Sequence, residues 1–455
     1  MERMTMAQVA VVAITVLLNA MDGFDVLSIA FALPGIAAEW KTSAGALGLV
    51  SSMELIGMAI GSLLLGGVAD KIGRRPTLLG CLLVMAAGII GATTSGSLYS
   101  LSAWRVFTGL GIGGMLSGTN AVATEFSNKR WRALAISLMV IGYPLGGTLG
   151  GMMIRASIDP ISQWRSIFYI GAAATVILLP ALYFAVPESI HWLTRTQPEN
   201  ALARVNGALR KLGHPVVSAL PEVHESDRKK SVTDILSPAL IATTLILTAG
   251  YFLHTITFYF ILKWTPKIAT DLGFPGPIGT GMLAWVNFGG AIGGALFGML
   301  AARLGIKPLT IGIMFTYALG VAYFGQVAGG LGLVPGRDGA GANYLTWTAG
   351  FVGTFGNAAM SGLYSMISYG FPTHVRATGT GFVIGLGRIG GVIGPWMAGL
   401  MLDKGSVIAT IALFLSFGSL LSGLMLMFLK MGAEGPEGKK QREGLEAARL
   451  RQAQA

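Results

Sequence analysis

Cysteine is almost absent from this chain: Cys81 is its only one. A single thiol can form neither an internal disulfide framework nor a thiolate metal cluster. Charge is scarce as well. Charged residues make up 12% of the 455, about half the share in a soluble globular domain. Carboxylates are the rarer sign, with 21 Asp and Glu against 32 Lys and Arg and a formal net charge of +11. The sequence has no Gly-x-x-x-x-Gly-Lys-Ser/Thr phosphate loop, no His-Glu-x-x-His and no His/Cys cluster. Neither a built-in ATPase nor a metal enzyme is therefore expected, and no cofactor is implied. Disorder, a coiled coil and an ordinary cytosolic enzyme fit this composition poorly.

Long apolar runs are what the chain does have. Hydrophobic residues reach 53%, and 66 glycines are scattered among them, as in membrane helices. A span needs about 20 apolar residues to cross the hydrocarbon core. Twelve stretches qualify: 7–34, 45–66, 77–95, 98–124, 133–155 and 166–186, then 236–262, 279–301, 309–330, 345–369, 377–400 and 406–429. The expectation is an all-α membrane protein of twelve transmembrane helices in two six-helix halves. Residues 1–187 form the first half, 188–235 a cytoplasmic middle loop, 236–430 the second half and 431–455 a charged, solvated cytoplasmic tail. Met1 to Met6 lead into an apolar stretch too long for a signal-peptide core, so the first span is expected to stay attached.

With both termini inside, the inner segments hold 23 Lys and Arg, the outer loops seven and the spans two, Arg105 and Arg388, accounting for all 32. The outer seven include Lys41, Lys263 and Lys404. This inside bias sets topology. It also places the positive charge without calling on nucleic acid.

The halves repeat. Gly66/Gly298, Lys71/Arg303, Gly73/Gly305 and Arg75/Lys307 share an offset of 232, and Arg132-Ala133 matches Arg376-Ala377 at 244. The longer offset fits a polar insert around Pro335 to Asn343. Two parallel six-span repeats are the plan of a rocking carrier with its site at the midplane between halves.

Ionisable side chains within spans cost roughly 2.5–3.5 kcal/mol each and need a reason. Asp22 and Asp25 lie three apart in the first span, so they face nearly the same side. Two close carboxylates suit a proton carrier; a structural pair is the alternative. Glu54 in the second span reads as a second proton site or as a partner for a buried arginine. Arg105 stays charged and so requires a carboxylate from protein or substrate. Arg388, among Gly385, Gly387, Gly390 and Gly391, supplies a fork suited to an organic anion, or else snorkels to lipid phosphate. Tyr143, His254, Tyr259, Trp285, Asn287, Asn357 and Tyr364 are candidate cavity residues; His254 reads equally as a hydrogen-bonded core residue. Trp264 and Trp396 read first as interfacial anchors. Gly142, Gly146 and Gly150 with Pro144, and Gly394-Pro395 at the matching place, suit close packing or a bend.

Gly66 to Arg75 resembles the loop 2–3 signature of the major facilitator superfamily, and Arg105 with Gly109 and Gly113 its fourth-helix motif. Pro187-Glu188-Ser189 resembles the end of helix 6 in many members. Asp22-Gly23-Phe24-Asp25 is similar to the first-helix motif of the aromatic acid:proton symporter family. Glu125-Phe126-Ser127 ahead of Lys129-Arg130-Trp131-Arg132, and Phe371 to Gly379, also suit that family. The resemblance implies the major facilitator fold and proton-coupled uptake of an organic, aromatic carboxylate. It implies a multi-pass protein of a bacterial inner membrane; the charge bias puts both termini on the cytoplasmic side, and a monomer is expected because each pair of halves makes its own path. By motif position the resemblance gives roles to Asp22, Asp25, Asp70, Arg105, Glu125, Arg376 and Arg388. Asp70, Arg74 and Arg75 would form a cytoplasmic gate latch, with Glu125, Arg132 and Arg376 as further gating residues. Ala302 stands where the second copy would carry an acid, which weakens a latch there. The rival readings are a carrier of another solute, either sugar uptake or drug efflux, and a membrane sensor without flux.

Overall fold

The computed structural model describes residues 4–128, 131–221, 235–238, 240–329, 339–371 and 375–430. The expected tail beyond Lys430, most of the insert around Pro335 and part of the middle loop lie outside them. The described residues form fourteen helices. The first set is α1 Met6–Trp40, α2 Ala44–Ile72, α3 Arg74–Thr93, α4 Leu98–Glu125, α5 Arg132–Ser157 and α6 Trp164–Ala185. Two short helices follow, α7 Ile190–Thr196 and α8 Ala201–Lys211. The second set is α9 Ile241–Asp271, α10 Gly276–Leu304, α11 Ile306–Ala328, α12 Gly339–Gly370, α13 Arg376–Asp403 and α14 Ile408–Met427.

Ten of the long helices are apolar enough to cross a membrane by length and composition. α4 and α12 fall short of that measure because Gly, Ser, Thr and Asn dilute their Leu, Ile and Val. Several helices outrun their apolar stretch: α1 continues to Trp40, α2 to Ile72 and α9 to Asp271. Backbone hydrogen bonding continues past the last hydrophobic residue, so a hydropathy boundary is not a helix boundary.

The repeat persists in the backbone. α2 and α10 start 232 residues apart, as do α3 and α11; α5 and α13 start 244 apart, as do α6 and α14. Each repeat has a glycine hinge between its second and third helices, Gly73 at φ 107° and Gly305 at φ 81°. A left-handed φ at both admits glycine without steric cost. Within the first set α1 packs on α5 and α6, and α4 on α2 and α3; within the second α9 packs on α13 and α14, and α12 on α10 and α11. The sets meet through α2–α13 and α5–α10, a pair of contacts exchanged by the repeat, and through α1–α9.

Glycine stripes let these backbones touch. A Cβ on Gly146 would strike the Ala20 carbonyl, and one on Gly150 the Phe24 ring, so α5 lies flat on α1. Gly390 and Gly394 do the same for α13 against α9. Where α1 turns into α2, the two sets are joined directly. The backbone N–H groups of Ala44 and Gly45 each donate to Asp403 at 2.8 Å, and Gly48 sits against Pro395. Trp264 is fully buried and donates to the Pro395 carbonyl at 3.0 Å. It is a packing residue of α9, which corrects its reading as an interfacial anchor.

Candidate functional site

Four ionisable side chains meet in the middle of the bundle. Asp25 comes from α1, Glu54 from α2, Arg105 from α4 and Lys263 from α9; none is more than 1% exposed. Arg105 Nη1 donates to Asp25 Oδ1 at 3.0 Å, and Nη2 to the Asp25 carbonyl at 2.8 Å. Nη2 also pairs with Glu54 Oε2. Lys263 Nζ pairs with Glu54 Oε1 and donates to the Val26 carbonyl. Two anions and two cations balance, which is how buried charge is tolerated. Lys263 therefore does not lie in an outer loop as its position just past a hydropathic span suggested. α9 continues for another two turns beyond it, so Lys263 lies within the helix and not past its end. Only its distance from Glu54 in space, not in sequence, reveals its partner.

Gly109 and Gly57 make this convergence possible. A Cβ on Gly109 would strike the Glu54 carbonyl, and one on Gly57 the Val106 carbonyl. α2 and α4 thus approach backbone to backbone in the turn that follows Arg105.

A second site lies beside the first, and it is not balanced internally. Arg388 of α13 is 6% exposed, and its Nε and Nη1 have no hydrogen-bond partner among the described residues. Tyr251 and Tyr259 of α9, Tyr364 of α12 and Tyr143 of α5 surround it closely enough to act on its charge. Gly387 and Gly391 flank Arg388, and a Cβ at either would strike the Tyr251 or Tyr259 ring. The glycines of α13 thus seat the α9 tyrosines beside the guanidinium. Tyr251 and Tyr364 hydroxyls bond at 3.1 Å with ring centroids 5.9 Å apart. Tyr364 is 37% exposed and Tyr143 half-buried, so the group is open on one side. Across from it, Asp22 of α1 is fully buried, and neither of its oxygens has a hydrogen-bond partner among the described residues. Arg388, Asp25, Tyr143 and Cys81 are the charged or polar groups in its electrostatic reach. A free guanidinium framed by aromatic rings can grip a carboxylate bidentately and stack the ring attached to it.

The Major Facilitator Superfamily profile matches residues 15–335. The chain belongs to the major facilitator superfamily. It is 27% identical over 390 residues to the 4-hydroxybenzoate transporter of Acinetobacter baylyi, covering 84% of this chain and 82% of that one. It is also 27% identical over 410 residues to the 3-(3-hydroxy-phenyl)propionate transporter of Escherichia coli, covering 90% and 91%. Among solved structures, the inward-open xylose transporter of E. coli superposes with a TM-score of 0.71 at 18% identity, over 93% and 96% of the two chains. That likeness carries the fold alone. The protein is a multi-pass membrane transporter for a small molecule, and not an enzyme.

The other residues singled out from the sequence of this facilitator fall into separate places. Asn287 of α10 lies at the α5 seam against Gly147 and donates to its own helix at Leu283 O, 2.9 Å. Asn357 of α12 is half-buried over Gly290. His254 is not brought to Arg388. It bonds Ser419 Oγ at 2.8 Å and packs against Phe258 and Tyr317, inside the second repeat.

At the termini-bearing end, Glu188 accepts from the backbone N–H groups of Arg74 and Arg75 at 2.8 and 3.2 Å, capping α3. Arg75 Nη2 donates to Tyr183 O at 2.6 Å, closing the end of α6. Glu125 bonds Ser189 Oγ, the N-cap of α7. Glu125 and Arg132 line a cavity of about 610 Å³ with Gln8, His191 and His214. The side chains of Asp70 and Arg376 lie outside the described residues. Glu188 was missed as a cap, although its place in Pro187-Glu188-Ser189 marked the segment. Among the described residues no group of His, Cys, Asp and Glu is placed to hold a metal ion.

Proposed function

We propose that this facilitator imports an aromatic carboxylate together with a proton across a bacterial inner membrane, as a monomer with both termini cytoplasmic. One observation carries the reading: Arg388 is a buried cation with no anionic contact, framed by four tyrosines and facing an unpartnered carboxylate, Asp22. The names of the relatives, transporters of 4-hydroxybenzoate and of a hydroxyphenylpropionate, support the same substrate class.

The mechanism follows from charge balance. A buried carboxylate is neutralised by a cation or by a proton. Asp22 and Arg388 lie within electrostatic reach of each other, so a charge on one offsets a charge on the other. A substrate carboxylate that takes Arg388 removes that offset, and Asp22 binds a proton. Anion and proton then enter as a pair without change in the charge of the site. Asp25, three residues on, is held by Arg105 and is not free to follow. The tyrosines and Asn357 receive the ring and its substituents. Residues 1–187 and 236–430 rock as two bodies about this site, with 188–235 between them. At the inner face, Asp70, Arg74, Arg75, Glu125, Arg132 and Arg376 act as the gate.

Proteoliposome uptake of labelled 4-hydroxybenzoate under an imposed acid-outside gradient tests this. The expected result is gradient-driven accumulation that collapses with the gradient. Asp22→Asn should abolish accumulation while retaining exchange of labelled for unlabelled substrate. Uptake indifferent to the gradient, or full accumulation by Asp22→Asn, would overturn the assignment.

A further inference from the structure

Lys263 has no part in the carboxylate site, yet it is fully buried and reaches from the second repeat into the first. Its two partners, Glu54 and the Val26 carbonyl, belong to α2 and α1. Toward the turn joining α1 and α2 the repeats also meet at Gly48 on Pro395 and at Ala44 and Gly45 on Asp403, and in the neighbouring turns at Gly276 on Pro160. Lys263 adds an ionic bond across that closed end.

We propose that Lys263 is the latch of the outer gate, holding that face shut only while Glu54 is ionised. This rests on the reading of the protein as a rocking carrier.

The charge count gives the reason. When closed, Asp25 and Glu54 are balanced by Arg105 and Lys263. Opening that face withdraws α9 and Lys263 and leaves one excess negative charge on the first repeat. Water entering the open gate then solvates what Lys263 had neutralised. The other ionisable groups around the cluster do not substitute for it. Asp22 of α1 and Arg388 of α13 answer to each other, and α12 brings Tyr364 to Arg388. α10 carries only Arg303, at its far end, and α14 has no ionisable residue. Glu54 and Lys263 are accordingly a matched pair whose removal one at a time is worse than removal together.

The test is a double-mutant cycle read as a distance. In a Cys81→Ala background, spin labels at Gln163 and Val407 report on the outer turns of the two repeats, where both side chains are exposed. Substrate and gradient are both absent. Lys263→Met and Glu54→Gln should each raise the separated population on the order of fivefold or more. The double variant, which has neither the latch nor an unpaired buried charge, should open less than either single variant. The pH slopes should oppose each other. Lys263→Met leaves excess negative charge, so it closes as pH falls and Glu54 takes a proton. Glu54→Gln leaves excess positive charge, so it closes as pH rises and Lys263 loses one. Additive effects, or slopes of the same sign, would overturn the proposal. If a single variant does not fold, folding of Lys263→Met/Glu54→Gln supports the matched pair, and failure of the double as well overturns it. Because no transport is measured, a carrier without proton coupling would sink the function proposed above and leave this result standing.

Discussion

At corresponding positions the two repeats are chemically unlike. By the offsets of 232 and 244, Asp22, Asp25, Glu54 and Arg105 correspond to His254, Thr257, Val286 and Ala349. Conversely, Arg388 corresponds to Pro144 and Lys263 to Phe31. What the repeats share is scaffold. Arg75 closes the end of α6 at Tyr183 O, 2.6 Å away, and Lys307 closes the end of α14 at Met427 O and Leu429 O, both at 2.8 Å. Tyr183 and Met427 are themselves 244 apart. A duplicated frame thus keeps its hinges and helix ends while its buried chemistry is one-sided. The buried carboxylates Asp22, Asp25 and Glu54 all belong to the first repeat, whereas the second contributes cations, Lys263 to the paired cluster and Arg388 beside the tyrosines.

The two buried arginines break this comparison most severely. Arg105→Ala strips the counter-ion from Asp25 and Glu54 and leaves Lys263 as the cluster's single cation. Breaking such a buried network costs about 3–5 kcal/mol, so thermal stability in detergent and transport should fall together. Arg388→Ala deletes a cation with no ion-pair partner among the described residues. Its stability should hold, while substrate affinity falls by about 2–5 kcal/mol, roughly 30-fold to a few thousand-fold. Thermal unfolding alongside substrate binding separates the two. Equal stability losses would mean that Arg388 is structural.

The hinges sharpen the comparison at lower cost. Gly73→Ala and Gly305→Ala both force a side chain into positive φ, each costing about 1–2 kcal/mol. At Gly73 the new Cβ would also meet the Glu188 carboxylate that caps α3, whereas at Gly305 it meets Pro308 at an ordinary 3.5 Å. Gly73→Ala should therefore lower the melting temperature by more, because Glu188 must leave the helix end. Equal shifts would show that φ alone sets the cost.

Most of the frame was legible in the sequence because apolar runs and the 232 and 244 offsets are linear signals. α4 and α12 were read as spans from their apolar stretches, although a stricter hydropathy measure passes them over. Asp22, Asp25, Arg105 and Arg388 stood out because charge within a span is rare. Three things did not follow. Lys263 lies just past the last apolar residue of its span, so hydropathy assigned it to solvent, whereas its partner is 209 residues away. Asp22 and Asp25 share a helix face, but nothing in their spacing says which one Arg105 takes. His254 and Tyr364 look alike as polar groups on apolar helices; neighbours on α11 and α14 send one into the core, and α9 and α13 bring the other to Arg388.

The smallest effect concerns the outer turns. Asp403 and Asp159 correspond at the 244 offset, yet they are used differently. Asp403 accepts from the first two N–H groups of α2, across the repeats. Asp159 accepts from Ile161 N–H at 3.2 Å and Ser162 Oγ at 2.8 Å, within its own turn. A carboxylate at a helix N-terminus contributes about 0.3–1 kcal/mol. Asp403→Asn keeps one acceptor and loses the charge, so it should shift the closed–open balance by a few-fold at most, about what that energy allows. The labels at Gln163 and Val407 would read this as a modest gain in separation. Asp159→Asn loses a comparable local energy, but the same bonds are broken whichever way the repeats rock. It should lower stability slightly and leave the distance distribution unchanged. A shift in Asp159→Asn as large as that in Asp403→Asn would mean that the turns act as a symmetric pair, against the one-sided use seen here.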